Sequence, residues 1–370
     1  MIIGVPKEIK DREYRVGATP EYVSTLVGAG HSVIVEENAG AAIDFPDEEY
    51  RAAGAQIASA RDVYEAQMVI KVKEPQMSEF PLLKEGQILF CYLHLAPDPE
   101  QTRHLIERKV VGVAYETVTD SHKRLPLLAP MSEIAGRIAV QAGATGLQMI
   151  NGGRGVLLGG VPGVAPAKVA VLGGGAVGTH AARMAMGLGA DVVIFDNNLM
   201  RLKELDALYG PRLKTLYSTK AAICKAVAEA DLVIGAVLIP GKSAPRLVTE
   251  EMVQSMRPGS VVVDVAIDQG GCIETARPTT HTAPYYVMHD VVHYCVTNMP
   301  GACARTSTEA LTNATLPYAL KLAALGYQKA LLEDRGLMEG LNVCLGHVTN
   351  AHVAHDLGYP YFPPERFIAS

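Results

Sequence analysis

Lys73, His94 and Asp268 are the residues of this chain whose type and setting most suggest chemistry. Lys73 follows an apolar run in Lys71-Val72-Lys73-Glu74-Pro75. Pro75 keeps Glu74 extended and turns the chain, so the lysine lies where a strand gives way to a loop. A lysine there can bind a carboxylate or polarise a carbonyl. The plainer reading is a solvated lysine beside an acid. His94 ends the apolar run that starts at Gln87. It either transfers a proton or is a satisfied core histidine. Asp268 comes after Val261–Ile267 and before Gln269-Gly270-Gly271. It either faces a ligand crevice or caps a turn. Arg15, on the loop after the first apolar run, is a second cation. Oxidising an amino or hydroxy acid by hydride transfer needs a carboxylate anchor and a group that takes a proton, and these four residues supply both kinds.

A hydride acceptor is suggested by Val169-Ala-Val-Leu-Gly173-Gly-Gly175-Ala-Val-Gly178, followed by Asp191-Val-Val-Ile-Phe-Asp196. An apolar run ends in G-x-G-x-x-G, a helical pattern follows, and a second apolar run ends in an acid. Gly173 permits the tight turn, Gly175 lets backbone approach a pyrophosphate, and Gly178 lets helix pack on strand. The helix start, at Ala176 and Val177, then presents N–H groups and a positive dipole end to phosphate. Asp196, 18 residues beyond Gly178, can accept a hydrogen bond from a ribose 2′-hydroxyl and repels a 2′-phosphate. The expected cofactor is therefore NAD.

The elements that position these residues read as two halves. In the first, strands are expected at Ile2–Val5, Ser32–Val35, Met68–Val72, Gln87–Leu93 and Val110–Tyr115, with helices between them. Thr19-Pro20-Glu21 opens a helix, with threonine as the cap and proline at the first position. Lys7, Lys73, His94 and Glu116 each follow a strand, which puts them on the carboxyl edge of a parallel sheet, where open α/β sheets bind ligands. Residues 118–135 read as a linker, with Ser132-Glu133 capping a helix from Ile134 to about Met149. The second half has strands at Val169–Leu172, Val192–Phe195, Leu213–Tyr217, Leu232–Val237, Val261–Ala266 and Val291–Val296. After Arg305 a helix runs to about Leu325, and a helix at Lys329–Asp334 and a polar tail end the chain. The fold class is α/β: two Rossmann-like, doubly wound parallel-sheet domains with the active site in the cleft between them. The boundaries expected are 1–128 plus 306–370 for a discontinuous substrate domain and 129–305 for a NAD-binding domain.

The chain has 370 residues, 49% of them hydrophobic and 19% charged, and so can build ample core. Its net charge of −6, with no basic run, argues against nucleic-acid partners. Met1-Ile-Ile-Gly-Val-Pro-Lys7-Glu8 does not read as a signal peptide, and no uncharged apolar stretch would span a bilayer. Six cysteines without a C-x-x-C pair suggest reduced thiols in a cytoplasmic protein, most of them core filler. No histidine pair shows H-x-x-x-H on one helix beside an acid, His289 and His293 being the nearest case, so no metal is expected.

Several blocks resemble bacterial L-alanine dehydrogenase: Lys7-Glu8, Glu13-Tyr-Arg15-Val-Gly-Ala-Thr-Pro20, Lys71-Val-Lys-Glu-Pro75, Leu93-His94-Leu, Leu127-Leu-Ala-Pro-Met-Ser132-Glu, Leu172-Gly-Gly-Gly-Ala-Val-Gly178, Ala266-Ile-Asp268-Gln-Gly-Gly271 and Thr297-Asn-Met-Pro-Gly301. The resemblance runs end to end. It implies reversible oxidative deamination of L-alanine to pyruvate and ammonia, with NAD as hydride acceptor. It implies Arg15 and Lys73 as substrate-binding residues and His94 and Asp268 as catalytic acid/base groups. For NAD it points to Ser132, Gly173, Gly175, Ala176, Val177, Gly178, Asp196, Arg201, Ser218, Val237, Leu238, Ala266, Ile267, Arg277, Val296, Thr297, Asn298 and Met299. It also implies a homo-hexamer without membrane partners. Cys303 and Ala304 stand where the family commonly has valine and proline. Some members carry a divalent ion, for which Glu116 would be one contact, but no histidine partner is evident after residue 309.

The nearest rival is an NAD-binding module like the transhydrogenase subunit, without amino-acid turnover. By resemblance that family lacks the set matching Lys73, His94 and Asp268. An NAD sensor would not need a strand-end proton carrier, and a saccharopine dehydrogenase shares the architecture but handles a larger substrate.

Overall fold

The computed structural model describes residues 1–237 and 244–368. In chain order the strands are β1 (Ile2–Val5), β2 (Ser32–Glu36), β3 (Gln56–Ala58), β4 (Met68–Ile70), β5 (Ile88–Cys91), β6 (Val111–Ala114), β7 (Lys168–Leu172), β8 (Asp191–Asp196), β9 (Lys214–Tyr217), β10 (Leu232–Gly235), β11 (Val261–Asp264), β12 (Tyr285–Met288), β13 (Val291–Tyr294), β14 (Leu341–Cys344) and β15 (His347–Val348). They form two compact units, Met1–Pro130 with Cys303–Ser370, and Met131–Ala302. Among the described residues no helix is long and apolar enough to cross a membrane.

The first unit holds an eight-stranded sheet in the order β15-β14-β6-β5-β4-β1-β2-β3. β1 to β6 pair in parallel, while β14 and β15 add antiparallel strands at one edge. β4, β5 and β6 are buried at every residue, as parallel strands covered on both faces must be. The helix Pro20–Gly28 starts as its sequence dictates: Thr19 Oγ1 accepts the Tyr22 N–H at 3.2 Å, and Pro20 occupies the first turn. The long C-terminal helix, Ala304–Glu333, is broken at Gly326, whose φ of 72° and ψ of 163° are not helical. The break separates the two helical runs expected there.

The second unit holds a seven-stranded sheet, β12-β13-β11-β10-β7-β8-β9, parallel except for β12. β10 and β11 are buried throughout. The strand order reverses between β7 and β10, which makes the carboxyl ends of those two strands the expected ligand crevice.

Two expectations are corrected, and the structure adds β3 where the sequence reading assigns no element. Ser132 does not cap a helix but lies inside one, Ala129–Gly146, because Pro130 fits a first helical turn. The polar tail expected after Asp334 holds the strands β14 and β15, and β12 adds a hairpin partner to β13 in a stretch to which no element is assigned from sequence. Asn342 gives β14 a polar look, yet it is 2% exposed, and its Nδ2 donates to Thr117 Oγ1 at 3.2 Å. All six cysteines are free, and four of them are buried.

His293, on β13, is fully buried. Its ring stacks on Tyr286 at 4.8 Å, with Nδ1 2.9 Å from Val291 O and Nε2 2.7 Å from Thr275 Oγ1. Burial pulls its pKa down to about 4. Once unfolded, the ring takes up a proton below about pH 6.5. Between there and pH 4 the unfolded state therefore binds more protons, so stability is full above that window and is lost as pH falls through it. The loss expected from this group is about 3 kcal/mol. Urea unfolding at pH 7.5 and pH 5 should show a smaller loss for His293→Phe than for wild type; equal losses would remove His293 from the account.

Candidate active site

At the carboxyl edge of the first unit's sheet, β1, β4, β5 and β6 lie side by side and deliver Arg15, Lys73, His94 and Glu116 from their following loops. Arg15 is 2% exposed, and Glu13 grips it as a fork: Arg15 Nε donates to Glu13 Oε1 at 2.7 Å, and Arg15 Nη2 donates to Glu13 Oε2 at 2.6 Å. The i, i+2 spacing of these two residues in an extended loop puts both on one face. Together with Lys7, Glu8, Tyr14 and Asn38 they line a cavity of about 390 Å³.

Lys73 is half-buried, and its placement rests on Glu8. The Glu8 carboxylate, 5% exposed, accepts the N–H groups of Val72 at 2.7 Å and Lys73 at 3.2 Å. Burial pulls the Lys73 ammonium below its ordinary range, and the Arg15 guanidinium adds to that pull. A lysine so placed gives up its proton more readily than a solvated one. Lys71 is entirely buried and pairs with Glu79 at 2.8 Å and Glu8 at 3.3 Å. Burial opposes its charge, but the two carboxylates outweigh burial and hold its pKa above the ordinary range. Nothing local in Lys71-Val-Lys73 distinguishes these fates, since both lysines follow β4, which ends at Ile70. The Glu8 and Glu79 partners lie on separate loops and left no local signal.

His94 has a φ of 47°, the left-handed region that costs a non-glycine residue of order 1 kcal/mol. Glu116 holds it there: its carboxylate accepts the His94 N–H at 2.7 Å and the Leu93 N–H at 3.2 Å. The imidazole stacks on Tyr92 at 5.8 Å with planes 6° apart, and its Nδ1 lies 3.9 Å from Glu116 Oε1. The side chain is 47% exposed, so it is not a core histidine.

In the second unit, residues expected at the cofactor follow the carboxyl ends of the parallel strands. The glycine turn follows β7, Asp196 ends β8, Ser218 follows β9, Val237 follows β10, Ala266 and Ile267 follow β11, and Val296, Thr297, Asn298 and Met299 follow β13. Leu238 lies outside the described residues. Gly173 has φ 103°, and a Cβ there would stand 2.7 Å from Ala236 O. At Gly175 a Cβ would meet nothing within 4 Å. The helix Ala176–Gly187 begins there without a side-chain cap. Its first N–H groups and an open backbone surface therefore face the same place, which fits a pyrophosphate.

Asp196 and Arg201 are both tied to this turn. Asp196 Oδ2 accepts the Gly174 N–H at 2.7 Å, and Arg201 Nε donates to Gly174 O at 2.7 Å. Ser132 is half-buried on the helix Ala129–Gly146, which packs close to the turn because Gly136 has no Cβ to overlap Val177 O. Arg277 holds its guanidinium 4.3 Å above the Tyr286 ring, two residues before Thr279, which bridges to Val296.

Asp268 is exposed on the short helical turn Ile267–Gln269. That turn is built by Asp264, which is fully buried at the end of β11. Asp264 Oδ1 accepts the Ala266 N–H at 3.0 Å, and Oδ2 accepts the N–H groups of Cys272 at 2.9 Å and Ile273 at 3.0 Å. The loop that carries Asp268 is thus closed at both ends on one carboxylate. His289 and His293 diverge: the first meets Glu250, and the second is buried against Thr275.

A family model described as the alanine dehydrogenase/PNT N-terminal domain matches residues 4–135, and one described as the alanine dehydrogenase/PNT C-terminal domain matches residues 139–351. The chain belongs to the alanine dehydrogenase/PNT family. The alanine dehydrogenase of Methanococcus maripaludis is 58% identical over 99% of both chains. That of Bacillus subtilis is 56% identical over 99% of this chain and 97% of its own. A solved L-alanine dehydrogenase matches with a TM-score of 0.95 and 55% identity, covering 97% of this chain and 99% of that one. The transhydrogenase from Sinorhizobium meliloti matches with a TM-score of 0.83 and 27% identity, covering 94% and 100%. Membership in the alanine dehydrogenase/PNT family brings a nicotinamide cofactor with it.

Proposed function

We propose that the chain catalyses NAD-dependent, reversible oxidative deamination of L-alanine to pyruvate and ammonia. The observation that carries this reading is the end-to-end identity of 56–58% with proteins named alanine dehydrogenase. The chain is an amino-acid dehydrogenase whose substrates are small molecules. Bound NAD supplies the hydride acceptor. Arg15 and Lys73 hold the substrate carboxylate, and Lys73 polarises the carbonyl oxygen in the reverse direction. His94 takes a proton from the amine as the C–N double bond forms. Water then adds to that bond, with Asp268 as the second acid/base group, and ammonia leaves. The glycine turn and the first turn of the helix Ala176–Gly187 take the pyrophosphate. Asp196 uses its remaining lone pairs for the ribose hydroxyls. The same reading makes the working assembly a cytoplasmic homo-hexamer.

The test is an absorbance assay for reduced nicotinamide with NAD and L-alanine, with glycine, L-serine and L-lysine as comparators. Turnover of L-alanine above the others is expected. No turnover with any of them, with NAD still bound, would leave a transhydrogenase-like binding module. Asp196→Ala is expected to weaken NAD binding about tenfold and to improve NADP binding, because the carboxylate serves both the ribose and the Gly174 amide. Unchanged NAD affinity, measured by titration, would remove Asp196 from the cofactor site.

A further inference from the structure

Gly173, Gly174 and Gly175 are consecutive, and a run of three glycines loses more backbone freedom on ordering than any other tripeptide. Such a turn needs ties from outside itself, and the structure supplies them to Gly174, which is buried. Its N–H is held by Asp196. Its carbonyl oxygen accepts two donors, Arg201 Nε at 2.7 Å and Thr179 Oγ1 at 3.0 Å. The two donors are joined, because Arg201 Nη2 donates to Thr179 Oγ1 at 2.8 Å. Arg201 Nη1 donates to Glu204 Oε2 at 2.7 Å. The Thr179 hydroxyl therefore gives its one proton to Gly174 and takes one from Arg201, which fixes its orientation.

In a trans peptide the carbonyl oxygen and the next N–H point in opposite directions. Holding the Gly174 oxygen on Thr179 and Arg201 therefore aims the Gly175 N–H the other way. Gly175 is where the backbone is exposed and open. We propose that Thr179 is a positioning residue of the cofactor site: with Arg201 it locks the Gly174–Gly175 peptide plane so that the Gly175 N–H is presented to the pyrophosphate before the dinucleotide arrives. Arg201 acts chiefly on the turn, since its Nε, Nη1 and Nη2 each hold a protein partner.

The inference rests on the dinucleotide reading above, and the experiment separates the two. Titrate wild type, Thr179→Val and Thr179→Ser with NAD and with ADP-ribose, which carries the pyrophosphate without the nicotinamide. Valine keeps the shape and removes the hydroxyl, whereas serine keeps the hydroxyl. The expected result is a rise in Kd of about 3- to 10-fold for valine with both ligands, with serine within about twofold of wild type. Thr179→Ala carries the same expectation and replaces valine if the valine variant does not fold. Wild-type affinity in the variant lacking the hydroxyl, or equal weakening in the serine variant, would overturn the proposal. Failure of wild type itself to bind either ligand would instead overturn the dinucleotide reading.

Discussion

The His94→Ala enzyme is expected to lose at least about a hundredfold in kcat while its Kd for NAD stays close to wild type. The imidazole is half-exposed at the end of β5, in the first unit, whereas the nucleotide turn is built by residues of the second. Its backbone is held in an unfavourable conformation by Glu116, and its ring is stacked on Tyr92. A surface histidine would not need that hold. The alanine variant keeps the backbone N–H that Glu116 accepts, so the fold of the strand end survives and the loss falls on the imidazole. The measurement pairs steady-state rates at saturating NAD and L-alanine with a direct NAD titration. A variant that turns over at more than about a tenth of the wild-type rate would sink the acid/base role. A variant that no longer binds NAD would assign His94 to the cofactor instead.

Gly178→Ala is expected to abolish measurable NAD binding and to destabilise the protein by about 2–3 kcal/mol. A Cβ at position 178 would overlap the carbonyl oxygen of Gly173 and stand 3.2 Å from Val171 Cγ1. The first obstacle is backbone, so no side-chain rotation relieves it. Either the helix Ala176–Gly187 moves off β7 or the turn at Gly173 opens, and each outcome scatters the amides that a pyrophosphate would meet. Gly187, in the same helix, is the control, because a Cβ there meets nothing within 4 Å. Gly187→Ala is expected to bind NAD normally and to unfold no earlier than wild type. Calorimetry and NAD titration of both variants test the pair. Normal NAD binding by Gly178→Ala would show that the turn tolerates an opening that the packing forbids.

Much of this architecture was legible because it is local. Thr19-Pro20 is a complete helix start, and the glycine fingerprint with Asp196 reads as strand, turn, helix and strand within one short segment. The strand-end rule needed only the apolar runs to bring Lys73, His94 and Glu116 to one edge. What was not legible depends on distant partners. β14 pairs with β6 across more than two hundred residues, and its Leu-Asn-Val-Cys gives no periodic signal of its own. Pro130 marked a linker by its type, although a first helical turn accepts it. The buried pair of Lys71 with Glu79 and the hold of Glu8 on Lys73 join loops whose approach only the folded sheet creates. Asp264 likewise closes the loop of Asp268 through three amides that its strand alone does not announce.

The return of β14 to the edge of β6 also governs the order in which a nascent chain can be completed. Residues 131–302 leave the ribosome as a contiguous segment and carry every strand of their own sheet. The sheet begun by residues 1–114 must wait for Leu341–Cys344. Until then β6 presents Val111 and Val113, both fully buried in the finished fold, beside a row of unpaired backbone groups. An exposed apolar edge of that kind invites pairing with another chain. Truncation between residues 303 and 340 is therefore a route to aggregation, and chaperone dependence during synthesis should fall on the first unit, although its strands are translated first.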